Sequence, residues 1–197
     1  MAHSDQPSDR IAVYANSALL MGEYARAGAV TGREDFAALA DALFRSLRAA
    51  RLDTPLGPAW PYSFTNPSWN DTLHAAYLGF GIARYAKHRP QAEAELPLLA
   101  GYLRRFVRDE AVAEHAPHAD LKPKFHSRPA PVWGAGMLAS ALAELGNCDT
   151  ARAVGRRLER YRRSDGKFGF GPDDRTYYPA AHAHAVFGLA TLHRGCP

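Results

Sequence analysis

Three features of the sequence predict an all-α fold. Apolar residues recur at three- and four-residue steps in about seven segments, the spacing of one face of a helix. Strand-like alternation is almost absent between these segments. The odd-numbered segments are rich in glycine, alanine, aromatics and histidine, whereas the even-numbered ones carry arginine, glutamate and leucine. The first composition suits helices that pack on every side, and the second suits helices with one solvent-exposed face. We therefore predict the inner and outer layers of an α/α toroid.

The first two helices are predicted from their termini. An apolar stripe over residues 11–27 indicates the first helix, and Gly28 is expected to end it. Thr31 and Glu34 have the spacing of a capping box, which predicts a second helix that runs to about residue 51. Proline and glycine in residues 53–58 are then expected to break the chain.

The later helices follow from similar signals. Ser68 is expected to cap the third helix and Pro90 to stop it, and Asp149 is expected to cap the sixth. The fifth helix is rich in small residues, which predicts close packing against its neighbours. The predicted spans of the third to seventh helices are 69–87, 92–112, 132–145, 149–163 and 179–193.

Length and composition favour one globular domain. The chain has 197 residues, of which 47% are hydrophobic and 22% charged, enough for a sizeable core. We predict a flexible leader over residues 1–10 and a single domain over 11–197. No apolar run is long enough for a signal core or a membrane span, so a cytoplasmic location is expected. Cys148 and Cys196 do not have the spacing of a metal knuckle or a disulfide framework, and we expect free thiols.

The charge balance is mildly basic. The net charge is +4, and the excess lies mostly in arginines of segments 104–108 and 152–163. These arginines are expected on solvated outer faces. No sequence signature of a nucleic-acid-binding module accompanies them, so a nucleic-acid partner is not predicted.

Two residues at the start of the third helix are the strongest candidates for chemistry. Asp71 and His74 are three residues apart, which places a carboxylate and an imidazole on the same turn. They follow a loop in which Trp60, Tyr62 and Phe64 stand among prolines and hydroxyls, a composition typical of a pocket lining. A neighbouring carboxylate can orient an imidazole for proton transfer.

Further aromatic, basic and histidine residues complete the set of candidate site residues. The candidate catalytic residues are His74, Asp71, Tyr62 and Tyr178. The candidate substrate-binding residues are Trp60, Trp69, Lys124, His126, Arg128, Tyr177 and His182. Aromatic side chains can stack on sugar rings, and the cations can neutralise a carboxylate.

Each candidate also has a structural interpretation. Asp71 could serve only the helix dipole, His74 could be satisfied by a local hydrogen bond, and the aromatics could belong to the core. His182 and His184 are two apart on a helix and point in different directions, so at most one should face a cavity. No recognised metal-ligand spacing is present, and neither a metal nor another cofactor is predicted.

A family resemblance rests on these residues. Trp60-Pro-Tyr62-Ser63 followed by Asp71-x-x-His74 resembles the pattern of the α/α-toroid domain in D-glucuronyl C5-epimerase-like proteins, and related domains occur in bacterial exopolysaccharide-biosynthesis proteins. The Asn16-Ser17-Ala18-Leu19 opening and the Thr31-Gly32 turn are similar to its helix-pair unit. Toroids of that family contain more helix pairs than the three and a half predicted here. An open ring is therefore expected, and we predict a homodimer.

The resemblance implies a carbohydrate-active enzyme, a uronate epimerase or lyase. Both reactions begin by removing the proton beside a carboxylate, so they need a cation and a base. Arg128 or Lys124 would supply the cation, and His74 or a tyrosine the base. Two alternatives remain at this point: a non-catalytic carbohydrate-binding or assembly subunit of a polysaccharide-biosynthesis system, and a small-molecule cyclase or isomerase with an aromatic-lined cavity. The expected ligand is a polar cyclic small molecule or an acidic sugar.

Overall fold

The computed structural model describes residues 13–63, 69–109, 111–117, 128–172, 174 and 176–196. Within these ranges the fold is all-α, as predicted, with one short antiparallel hairpin, β1 (Leu52–Thr54) and β2 (Gly57–Ala59). The helices are α1 (Tyr14–Thr31), α2 (Glu34–Ala49), α3 (Thr72–Ala86), α4 (Leu96–Arg104), α5 (Val132–Glu144), α6 (Cys148–Leu158) and α7 (Pro179–Gly195). Short 3-10 turns, Pro90–Glu95 and Glu159–Tyr161, lead into α4 and out of α6. None of the described helices is both long and apolar enough to cross a membrane.

The helices form two layers. The inner helices α1, α3, α5 and α7 pack side by side in that order, and α2, α4 and α6 pack behind α1, α3 and α5. Most of α3 and α5 is buried, whereas α2 and α6 bury one stripe each. The predicted division into inner and outer helices is confirmed, and the described helices form an open arc of the α/α-toroid type.

The inner helices approach closely because glycines replace larger side chains at their contacts. A Cβ atom on Gly81 of α3 would overlap the backbone carbonyl of Ala18 in α1. A Cβ atom on Gly188 of α7 would likewise overlap the carbonyl of Gly136 in α5. The concave surface of the arc is therefore built on backbone-to-backbone contacts, which tolerate little added volume.

Gly81→Ala is expected to lower the free energy of unfolding by about 1–3 kcal/mol, because the added methyl group meets backbone that cannot rotate away. Gly101→Ala is the matched control, since α4 has room there and alanine is the better helix former. Urea unfolding followed by circular dichroism measures both variants. Equal stability of the two variants would contradict this account of the packing.

Two predicted helix termini at the connection between α1 and α2 are wrong. Helix α1 continues through Gly28, which packs against Ala37 of α2, and ends at Gly32, where φ is 70°. Thr31 and Glu34 form no capping box, because Thr31 is still helical and its hydroxyl donates to the carbonyl of Ala27. Tertiary packing of Gly28 thus overrides its usual role at a helix end.

The fourth and sixth helices are shorter than predicted. Helix α4 ends at Arg104 because the chain turns back and Val107 pairs with Val112 in a β-bridge. Helix α6 ends at Leu158, and Asp149 lies inside its first turn behind the N-cap Asn147. Ser68 lies outside the described residues, and the N-cap of α3 is Asp71.

The prediction of free thiols is wrong. Cys148 and Cys196 form a disulfide across 48 residues. Cys148 is the first residue of α6 and Cys196 the C-cap of α7, so the bond joins the last outer helix to the last inner helix. Sequence spacing does not reveal this pairing, because it depends on the return of the chain from α6 to the end of α7.

Candidate active site

The first turn of α3 is fixed from two sides. The carboxylate of Asp71 accepts the backbone N–H of His74 at 2.9 Å, the contact of an N-cap. On the other side, the N–H of Thr72 donates to the carbonyl of Glu114 at 2.8 Å, and Asp71 pairs with His115 in a β-bridge. The segment around Glu114 therefore holds the start of α3 against the body of the arc.

Asp71 also orients the imidazole of His74. Its Oδ1 atom lies 2.8 Å from Nδ1 of His74. An ionised carboxylate only accepts, so Nδ1 carries a proton, and in the neutral imidazole Nε2 keeps a lone pair. The His74 side chain is 18% exposed, and the ring of Tyr62 lies edge-on to it at 4.8 Å. This arrangement confirms the predicted pairing of Asp71 with His74 and leaves one imidazole nitrogen able to accept a proton.

Charge and burial tune the groups around Asp71. Burial alone would raise the pKa of Asp71, but the hydrogen bonds from His74, and the charge of His74 when its imidazole is protonated, lower this pKa overall. The pKa of Tyr62 is raised by burial and then by the negative charge of Asp71. Both effects favour an ionised Asp71 beside a protonated Tyr62 at neutral pH.

Asp71→Asn is expected to reduce stability near pH 7 by less than about 1 kcal/mol, because asparagine keeps the cap but loses the charge. The folded-state pKa of Asp71 is lowered, so its contribution is present above the unfolded pKa and disappears as pH falls through the folded pKa. Urea unfolding of both proteins should therefore differ at pH 7 and converge at acid pH. A difference that grows as pH falls would contradict this sign.

A second pair of proton-transfer groups lies one turn further along α3. The hydroxyl of Tyr77 is 2.5 Å from Nε2 of His184 on α7. Nδ1 of His184 lies 2.6 Å from the carbonyl oxygen of Ala180, which can only accept. His184 therefore carries its proton on Nδ1, and Tyr77 donates to Nε2. Burial raises the pKa of Tyr77, and the charge of Asp71 adds to the effect.

Sequence reasoning missed this second pair. Tyr77 follows His74 by three residues, so the helical spacing of α3 could have placed it on the same face. No local signal connects it to His184, which is 107 residues away. The sequence predicts that at most one of His182 and His184 faces a cavity and names His182 as a substrate-binding residue. In the structure His184 lines a cavity, whereas His182 accepts a hydrogen bond from the loop before α7.

The Tyr77–His184 pair borders a cavity on the concave face of the arc. The cavity has a volume of about 310 Å³ and receives side chains from all four inner helices. Its other walls are Leu19, Phe80, Met137, Ala183 and Phe187. The rings of Phe80 and Phe187 meet edge to face at 5.7 Å. An apolar cavity with a few converging polar groups is typical of a small-molecule site.

Two larger cavities lie elsewhere. Their volumes are about 480 and 460 Å³, and both are lined by Lys87 and Glu144 near the C-terminal ends of α3 and α5. Neither is lined by a residue of the Asp71–His74 or Tyr77–His184 pairs. We therefore place the candidate active site at the smaller cavity, which the Tyr77–His184 pair lines and which lies one helical turn from His74 on α3.

The tryptophans are held by the core. Trp60 is 1% exposed, and its indole N–H donates to the carbonyl of Leu47 at 3.1 Å. Its ring also packs on Tyr102 at 5.5 Å. Trp60 is therefore a core residue, which corrects its interpretation as a sugar-stacking side chain. Trp69 is partly buried against the same core.

A second aromatic cluster surrounds the start of α7. Nδ1 of His182 accepts the backbone N–H of Phe168 at 3.3 Å, so this histidine braces the loop before α7. Tyr177 packs on His182 at 5.9 Å, and Tyr178 packs on Phe170 at 5.2 Å. The two tyrosines are 38% and 48% exposed. The structure thus places Tyr177, Tyr178 and His182 together, around Phe168 and Phe170.

One predicted cation lies near the start of α3. Nε of Arg128 is 3.1 Å from the carboxylate of Glu114, and the Arg128 side chain is 67% exposed. The carbonyl of Glu114 is the group that binds the N–H of Thr72, so Arg128 stands beside the first turn of α3. Lys124 and His126, like Phe64, lie outside the described residues.

Comparisons with known proteins support the fold. No protein-family model and no curated protein matches the sequence. Among solved structures, a polysaccharide lyase has a TM-score of 0.68 at 12% identity and covers 92% of this chain and 60% of its own. A glycosyl hydrolase of family 88 from Bacteroides vulgatus has a TM-score of 0.65 at 11% identity, and the match covers 98% of this chain and 64% of the hydrolase. A cellobiose 2-epimerase from Bacillus thermoamylovorans has a TM-score of 0.65 at 9% identity, and the match covers 92% of this chain and 56% of the epimerase.

These similarities show the α/α-toroid fold, since identities this low carry no further information. The chain spans 56–64% of the length of the three solved structures.

Proposed function

We propose that this chain is a carbohydrate-active enzyme that removes the proton beside the carboxylate of a uronate, as an epimerase or a lyase does. The observation that carries the proposal is the contact of Asp71 with Nδ1 of His74, which orients the ring and leaves Nε2 of the neutral imidazole as the proton acceptor. His74 and Tyr77 are three residues apart on α3, and Tyr77 opens on the apolar cavity. The proteins of similar fold include a polysaccharide lyase and a cellobiose 2-epimerase, which supports a carbohydrate-active enzyme.

Each step of the reaction has a candidate residue. Nε2 of His74 would take the ring proton, and the electron pair left behind would delocalise into the substrate carboxylate. Arg128 would neutralise that carboxylate by exchanging its contact with Glu114 for one with the sugar. The Arg128 side chain is exposed enough to turn toward a ligand, whereas the Glu114 side chain that it would leave is 19% exposed, so the exchange costs the ion pair of a partly buried carboxylate.

Tyr77 would complete the reaction as the acid. Its raised pKa keeps the phenol protonated, so it can give a proton to the opposite face of the carbon in an epimerase. In a lyase the same proton would go to the departing glycosidic oxygen as the carbon–oxygen bond breaks. His184 positions the hydroxyl in either case, and the rings of Phe80 and Phe187 would contact the apolar face of the sugar.

Proton exchange tests this proposal. The protein is incubated in deuterated water with a panel of uronate polymers, and the ring protons are followed by NMR. We expect loss of the signal of the proton beside the carboxylate; a new unsaturated product would identify a lyase, and an inverted sugar an epimerase. Neutral glucans serve as the control. A folded protein that exchanges no proton in any uronate would contradict the proposal.

A non-catalytic carbohydrate-binding role is the second candidate. It is favoured by the openness of the apolar cavity, in which Phe187 is 39% exposed and available to a ring that simply stacks on it. His74→Ala separates the two roles. In an enzyme this substitution removes turnover and spares sugar binding, whereas in a binding protein there is no turnover to remove.

The disulfide bears on where the protein works. Stable disulfides form mainly in oxidising compartments, so the Cys148–Cys196 bond favours such a compartment over the cytoplasm expected from the sequence. We therefore propose an oxidising compartment as the site of action, which suits an enzyme whose substrate is an exported polysaccharide. The homodimer expected from the sequence stays a prediction.

A further inference from the structure

Helix α7 is at the edge of the inner layer. Helices α3 and α5 each have an inner helix on both sides, whereas α7 packs on α5 and, behind it, on α6. From Ala180 to Ala190 its exposed residues lie at helical spacing along one side and are all apolar: Ala180, Ala183, Val186, Phe187 and Ala190. In the last turn His193, Arg194 and Gly195 are exposed as well. We call this surface the α7 edge face. Val186 is 47% exposed and Phe187 39%, which is unusual for two large apolar residues side by side.

We propose that the α7 edge face binds the same face of a second copy of this chain, with the two α7 helices antiparallel about a two-fold axis. The exposed positions are symmetric about the helix centre, so an antiparallel pair would match them. The matched positions are Val186 with Phe187, Ala183 with Ala190, and Ala180 with His193. A two-fold interface requires this kind of self-complementary surface.

The chemistry of the face also suits a second copy. From Pro179 to Leu192 helix α7 carries no Asp, Glu, Lys or Arg, so two copies bring no like charges together. The alanines allow the two backbones to approach closely, and antiparallel helix dipoles attract. The disulfide at Cys196 fixes the end of α7, so little freedom is lost on association.

The second copy would complete the wall of the candidate active site. Ala183 and Phe187 belong both to the α7 edge face and to the cavity that holds Tyr77 and His184. Both wall residues are exposed, so the cavity is open to solvent on this side. A neighbouring α7 would narrow that opening and place its own Phe187 at the rim. A narrower opening would reduce the access of water to the Tyr77–His184 pair while leaving an entrance for the sugar.

The expected affinity follows from the size of the face. A helix of 17 residues is about 25 Å long. One helix face offers less than the roughly 800 Å² per partner of a standard interface, even with the exposed Tyr177 and Tyr178 at its start. We therefore expect a dissociation constant of about 1–100 µM, which makes the assembly depend on concentration.

Light scattering after size exclusion tests the interface without any substrate, so its outcome is independent of the proposed reaction. At about 1 mM, above the whole expected range of dissociation constants, the wild-type chain should have a mass approaching twice 21.5 kDa. Val186→Glu should restore the single-chain mass, because it places two carboxylates near the two-fold axis. Val30→Glu is the control, since Val30 is 76% exposed on α1, and this variant should stay dimeric.

Two results would overturn the inference. One is a wild-type chain that is monomeric at the same concentration. This result is expected if a different polypeptide covers the α7 edge face, or if the face stays exposed to solvent. The other is a dimer that persists in Val186→Glu, which would place the interface elsewhere. Circular dichroism of each variant confirms that it is folded before the masses are compared.

Discussion

Replacing His74 by alanine is expected to lower the turnover of a uronate substrate by about 10²–10⁴-fold. The substitution removes the imidazole whose Nδ1 atom is held by Asp71 at 2.8 Å, and with it the free Nε2 lone pair that would accept the ring proton. Asp71 cannot replace it, because the lowered pKa of that carboxyl makes it a weaker base. The rate of deuterium incorporation into the substrate measures this loss.

His88→Ala is the matched control for this experiment. His88 follows the C-terminal end of α3, at the other end of the helix from Asp71, and lines a different cavity. Its removal should change turnover by less than about twofold. A His74→Ala variant that keeps more than about a tenth of the wild-type rate would contradict the assignment of His74 as the base.

Loss of the disulfide is expected to lower the free energy of unfolding by about 4 kcal/mol. The bond closes a loop across 48 residues, and the loss of loop-closure entropy in the unfolded chain predicts this size. The double variant Cys148→Ser/Cys196→Ser measures the effect by urea unfolding. Helix α7 should respond first, because the bond holds its C-terminal end and the helix lies at the edge of the inner layer.

The reduced wild-type chain provides the control for the disulfide. It should unfold at nearly the same urea concentration as the double serine variant, since both lack the same covalent constraint. Hydrogen exchange in α7 should be faster in both than in the oxidised wild type. Equal stability of the oxidised and reduced wild-type chains would show that the disulfide does not constrain the unfolded state as described.

The layered fold was predictable because the amino-acid composition of each helix matches its degree of burial. Helix α5 consists almost entirely of small and apolar residues, and it is buried along nearly its whole length. Helix α2 is amphipathic and buries only Ala40, Phe44 and Leu47. The exact helix ends were less predictable. They depend on the packing of Gly28 against α2 and on the chain reversal at the Val107–Val112 bridge, and the helical pattern of the sequence shows neither.

The candidate site was predictable only where its contacts are local. Asp71 and His74 meet within one helical turn, so their spacing was sufficient. Tyr77 and His184 meet only because α3 and α7 both face the concave side of the arc. Trp60 shows the converse limit: an aromatic residue in a loop suits a pocket or a core equally well, and its burial decides for the core.

A crystal structure of the His74→Ala variant with a bound uronate oligosaccharide would test the central claim most directly. The account predicts a sugar ring in the cavity of about 310 Å³, against Phe80 and Phe187, with the hydroxyl of Tyr77 in contact with the ring. The proton beside the carboxylate should point toward the position vacated by His74. An oligosaccharide bound instead in the cavities beside Lys87 and Glu144, at the other end of α3, would contradict it.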